Sequence, residues 1–153
     1  MPLLLAALIF FQPGLSEGVE AFIAISRARL AWRSALPGGG PLYRRELITL
    51  LAAQRKKSLV TGYDFILYDP GYNPRQTFRC RVGSEEGVIV EAPLSAEQIA
   101  SLKGSPDGVL WRSRSMVSIE GTLRRFRVDA APGREDLVLT LDRVTLHHLP
   151  KSD

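Results

Sequence analysis

The sequence predicts a mainly β fold with N-terminal helices: a five-stranded barrel that carries a helix between its third and fourth strands. Three observations point there. From Leu59 onward the apolar period changes from helical to alternating, the signature of half-buried strands. A single capped segment, Ser95-Ala-Glu-Gln-Ile-Ala-Ser-Leu-Lys103, interrupts the strands, with Ser95 and Gln98 spaced as a capping box. Two strands near the end of the chain change face part-way along, as strands do where a barrel turns a corner.

The N-terminal third is helical and basic. Leu3 to Phe11 is an apolar run closed by Gln12-Pro13-Gly14, too short for the roughly 20 residues that span a bilayer. Ser16 can cap a helix starting at Glu17, on which Val19, Phe22, Ile23, Leu30 and Trp32 approach one another, with Arg27, Arg29 and Arg33 on a solvated end. Residues 1–36 read in three ways: a signal or anchor, a helical hairpin packed on the domain or a partner, or an interfacial amphipathic helix. Residues 37–41, Pro-Gly-Gly-Gly-Pro, form a linker. Residues 42–57 return to helix and end on Arg55-Lys56-Lys57, which suit a helix C-terminus or a phosphate or membrane head-group contact.

Five strands follow across residues 58–150. Val60 to Tyr68 reads as one long strand with Thr61, Tyr63, Phe65 and Leu67 on one face. After the turn formers Asp69 to Pro74, Gln76 to Val82 alternates, with Phe78, Cys80 and Val82 inward and Arg79 and Arg81 outward. Val88 to Glu91 is a short third strand; after the capped helix, Ser105-Pro-Asp-Gly108 reads as a loop. In the fourth strand, Ser115 to Val128, Val117, Ile119, Gly121 and Leu123 alternate with polar residues, and the parity slips before Phe126 and Val128. The fifth, Leu137 to His147, places Leu137, Leu139 and Leu141 on one face and slips at Asp142-Arg143.

This order, with the Ile119-Glu-Gly-Thr-Leu123 strand and the two slips, resembles the OB-fold, in particular the small exported OB-fold domains of bacteria. The resemblance covers about Leu59 to Leu149 and implies a Greek-key barrel; a fold of this kind does not carry a function with it.

Charge and composition narrow the chemistry. An apolar content of 45% with 24% charged residues is globular. The net +4 is uneven: Met1–Lys57 holds eight Lys/Arg against three Asp/Glu, and the remainder is nearly neutral. The lone Cys80 excludes an internal disulfide or thiolate cluster and reads as a small buried hydrophobe. His147 and His148 are adjacent on a strand, so they point to opposite faces and suit a shared metal poorly. No nucleophile turn, paired-carboxylate motif or nucleotide loop is present, so no enzyme and no cofactor are expected.

Binding is what remains. The expected role is a non-enzymatic binding or assembly module of the cell envelope, periplasmic or membrane-tethered, contacting a protein partner. The apolar N-terminus, the glycine linker and the near-neutral barrel motivate it. The alternative is a cytoplasmic single-stranded nucleic-acid binder using Tyr68, Tyr72, Arg79 and Arg81, helped by Arg55, Lys56 and Lys57. An oligosaccharide or envelope-polymer ligand shares the fold. The N-terminal segment would supply any membrane-surface contact.

Overall fold

The computed structural model describes residues 13–35, 40–68, 77–81, 88–107, 110–131 and 134–149. Helices α1 (Pro13–Ser34) and α2 (Gly40–Gln54) precede strands β1 (Ser58–Val60), β2 (Leu67–Tyr68), β3 (Thr77–Arg81) and β4 (Val88–Pro93). Helix α3 (Ala96–Leu102) follows, then β5 (Gly104–Asp107), β6 (Leu110–Ser113), β7 (Val117–Ala131) and β8 (Arg134–His148). The strands form one mixed sheet in the order β1-β7-β8-β4-β3-β2-β6-β5. Among the described residues this ladder ends on β1 and β5 without closing. The β4–β8 pairing is parallel; the others are antiparallel.

The β7–β8 hairpin is the frame. Val117, Ile119 and Leu123 of β7 and Leu137, Leu139 and Leu141 of β8 are all buried on its inner face. Each such side chain contributes about 2 kcal/mol of apolar burial. The expected changes of face are two register shifts. Between the pairs Glu120↔Thr145 and Thr122↔Asp142, β8 holds one residue more than β7, and Arg143 there takes φ 53°. Gly121 faces this bulge, and a Cβ on it would lie 3.0 Å from Leu141 Cβ and 3.1 Å from the Asp142 carbonyl oxygen. The second shift leaves Arg124 as the extra residue of β7, which returns Phe126 to the inner face opposite Leu139.

The segment expected as one long strand is broken. β1 pairs with β7 and β2 with β3, and between them only an isolated bridge, Asp64↔Val117, is formed. Thr61 and Ile66, from opposite faces of the expected strand, are both buried, while Tyr63, Phe65 and Leu67 are half-buried. The break is held by side chains. The Ile119 N–H donates to the Thr61 hydroxyl at 2.8 Å, and the Ser118 hydroxyl donates to the Thr61 carbonyl. The Ile66 N–H donates to the Ser113 hydroxyl at 2.9 Å. Polar side chains thus take over ladder bonds that an unbroken strand would supply.

The expected loop at Ser105 is a correction too, since Ser105–Asp107 belong to β5, paired with β6. α3 ends at Leu102 with Lys103 as its C-cap, and Gly104 opens that strand. The capping box is present in full: the Gln98 N–H donates to Ser95 Oγ, and the Ser95 N–H donates to Gln98 Oε1. Gln98 Nε2 also donates to the Val144 carbonyl at 2.7 Å, fastening the helix to β8. Leu102 is buried, whereas Ile99 stays exposed.

α1 begins at Pro13, so Ser16 lies inside the helix and not at its cap; proline suits a first helical turn. Its buried stripe is Gly18, Ile25, Ser26, Arg29 and Trp32, and Ile23 and Leu30 face outward. The phase is set by Gly18, whose absent Cβ would sit 2.7 Å from Val60 Cγ2 and 3.1 Å from the Val60 nitrogen. Only a glycine lets the helix approach β1 this closely, and the rotation that results turns Arg29 inward, against the expectation of a solvated arginine. Gly40 and Pro41, assigned to the linker, open α2. Ile25, Trp32, Leu47 and Leu51 share one core cluster with the sheet.

Candidate functional site

Strand register assembles one outer face across β3, β4, β8 and β7. Residues directly opposite in paired strands lie on the same side of a sheet. Val88, Val90, Leu137 and Leu139 face the core, so Ile89, Glu91, Val138 and Thr140 face out. One row across this face runs Arg79, Glu91, Thr140, Arg125. The next runs Arg81, Ile89, Val138, Arg127, and extends from position 81 through Leu67 to Arg112.

The face has an apolar floor and polar walls. Ile89 and Val138 are only 5% and 2% exposed although they point away from the main core. Glu91 and Thr140 are half-buried, and Arg125, Arg127 and Arg112 are exposed. A cavity of about 320 Å3 opens among Glu91, Arg125, Arg127, Val138 and Thr140. At the β6 end the Arg112 guanidinium lies 4.4 Å from the centroid of the Phe65 ring. Phe65, half-buried, thus serves as the face of a cation–π contact.

The residues singled out from sequence divide. Positions 79 and 81 fall in the two rows, beside Arg125 and Arg127. Position 68 lies opposite Cys80 and Trp111, in a different row. Tyr72 lies outside the described residues. Arg55, Lys56 and Lys57 are exposed but sit at the β1 end, with three strands between them and β3. Sequence reading missed Thr140 and the central place of Glu91. Their alternation was visible, but the parallel β4–β8 register that joins them was not.

The histidines do lie on opposite faces. His147 Nε2 is 2.7 Å from Glu120 Oε1, and the His148 ring lies 3.0 Å from Ser101 Oγ and 3.3 Å from Ser115 Oγ. Each ring ties β8 to a neighbouring element. Among the described residues no group of three His, Cys, Asp or Glu side chains is placed to hold a metal ion, and no helix is long and apolar enough to cross a membrane. A wider hollow of about 620 Å3 lies between Trp32 and the first turns of α2, beside Arg44 and Arg45. Comparison with protein-family models, curated proteins and solved structures returns no match to this chain.

Proposed function

We propose that this chain is a non-enzymatic binding domain, built on an OB-fold-like barrel, that contacts a protein partner in the cell envelope through the outer face of β3, β4, β8 and β7. Strand pairing supports the barrel. Ser58–Tyr68 lends one end to β7 and the other to β3, so the pairing order from that segment through β3, β4, β8 and β7 leads back to it. That is the strand order of a five-stranded Greek-key barrel, with α3 between its third and fourth strands and β5–β6 as an addition. In such barrels the face of the second and third strands is the usual ligand surface.

The observation that carries the protein-partner reading is Glu91. A half-buried carboxylate stands within a row that also holds Arg79 and Arg125. A phosphate chain is uniform in charge, whereas this row runs cation, anion, cation, a mixed pattern that a folded partner can match. A photo-cross-linking residue at position 125 or 140 should trap one discrete protein in cells, and the same group at position 99 should not. Equal trapping from all three positions sinks the assignment.

The second reading is a single-stranded nucleic-acid binder, favoured by the gathering of positions 79, 81, 125 and 127 into two adjacent rows. It requires oligonucleotide affinity that falls steeply with salt and is lost in Arg125→Glu with Arg127→Glu.

A further inference from the structure

A second surface lies at the other end of the sheet, where α2 hands over to β1. α2 ends at Gln54, and Arg55-Lys56-Lys57 form a tight turn: the Arg55 N–H donates to the Ala52 carbonyl and the Lys57 N–H to the Gln54 carbonyl. Lys56 takes φ 67°, a left-handed conformation that L-residues with side chains seldom adopt. Two backbone bonds hold it there. The Lys56 N–H donates to the Leu123 carbonyl at 2.8 Å, and the Leu123 N–H donates to the Lys57 carbonyl at 3.0 Å. Three consecutive exposed basic residues are thereby held by backbone bonds to the residue before Arg124.

Arg124 is the bulge residue of β7, and its side chain is 61% exposed. Its contact with Asp142 is 3.7 Å long and open to solvent, a weak pair that leaves the guanidinium able to turn to another anion. Two positions of irregular backbone, one in the turn and one in the strand, therefore set cations on a single corner of the fold.

α1 packs on the strand that follows this turn. Gly18 rests on Leu59 and Val60, two and three residues beyond Lys57. Pro13, where α1 begins, is five residues earlier, about 8 Å along a helix axis. In sequence the apolar run Leu3–Phe11 ends two residues before Pro13. An apolar segment too short to span and a polybasic corner are the paired signals that together hold a protein on a lipid surface, where either alone binds weakly.

We infer that Arg55, Lys56, Lys57 and Arg124 form a docking surface for anionic lipid head groups at the end of the sheet where α2 hands over to β1. This surface shares no residue with the proposed partner face, and either assignment can fail alone.

The test is flotation of the full chain with phosphatidylcholine vesicles, with and without phosphatidylglycerol. Binding should require the anionic lipid and weaken as salt rises. The variant Arg55→Gln, Lys56→Gly, Lys57→Gln removes three charges while giving position 56 the residue its backbone favours. Its affinity should fall about fivefold for each charge lost, with an unchanged thermal melt showing that the fold is intact. The control Arg44→Gln with Arg45→Gln removes charge elsewhere and should stay within about twofold of the parent. Equal binding to neutral vesicles, an equal loss in the control for each charge removed, or retained binding in the triple variant overturns the inference. So does tighter binding of a single-stranded oligonucleotide than of anionic vesicles, lost in the same triple variant, which would assign the corner to nucleic acid.

Discussion

The β7–β8 hairpin and the Ser58–Tyr68 segment are neighbours in one sheet, and both read in sequence as long alternating strands. The hairpin forms a ladder from Val117↔His148 to Ala131↔Arg134, broken only by two one-residue shifts. The segment forms two short strands and one bridge. In the hairpin the inner positions are large aliphatics, so a slip of one residue would carry Leu137, Leu139 and Leu141 into water. In Ser58–Tyr68 the buried aliphatics Leu59, Val60 and Ile66 follow no single alternation. Between them Thr61, Tyr63 and Asp64 are polar or amphipathic, so neighbouring strands choose the conformation there.

That contrast predicts where damage should be largest. Gly121→Val should destabilise the protein by about 3 kcal/mol, because even its Cβ would lie 3.0 Å from Leu141 Cβ and overpack the bulge. Urea unfolding measures this, and a loss under 1 kcal/mol would mean the bulge is pliant. In the broken segment, Thr61→Val keeps the shape but removes the hydroxyl that accepts from the Ile119 N–H. A loss of about 1–2 kcal/mol is expected from the donor left unsatisfied. A neutral result would show that the segment can re-form as an ordinary strand, like the hairpin beside it.

The smallest effect concerns Tyr63, whose phenol is raised above its ordinary value of 10.0 by burial. A group that ionises later in the folded state contributes stability fully present below its unfolded pKa and lost as pH climbs through the folded one. Stability should therefore decline from about pH 10 upward, and Tyr63→Phe should flatten that decline in alkaline unfolding curves.

Much of the fold was legible for the reason the hairpin was: large apolar residues at strict spacing leave one workable register. The α3 box of Ser95 and Gln98 was legible because a cap is local chemistry within four residues. The rotation of α1 was not. Its sequence offers one stripe through Val19, Ile23 and Leu30 and another through Gly18, Ile25, Arg29 and Trp32, and the first is the more apolar. Contact between Gly18 and Val60 selects the second, and that contact spans more than 40 residues of chain. Of the candidate site, Arg79 and Arg81 were visible as outward positions, but their alignment with Glu91, Thr140 and Arg125 depends on which strands become neighbours.

The sequence by itself determined that helices precede strands, the capped helix, the inner face of β7 and β8 and the two changes of face. Each follows from the repeat of apolar side chains or from bonds between near neighbours. Only the tertiary structure decided the break in the first strand, the β5–β6 hairpin, the inward turn of Arg29 and the two charged surfaces. These depend on strand register and close approach, which arise between segments distant in the chain and leave no periodic mark on either one.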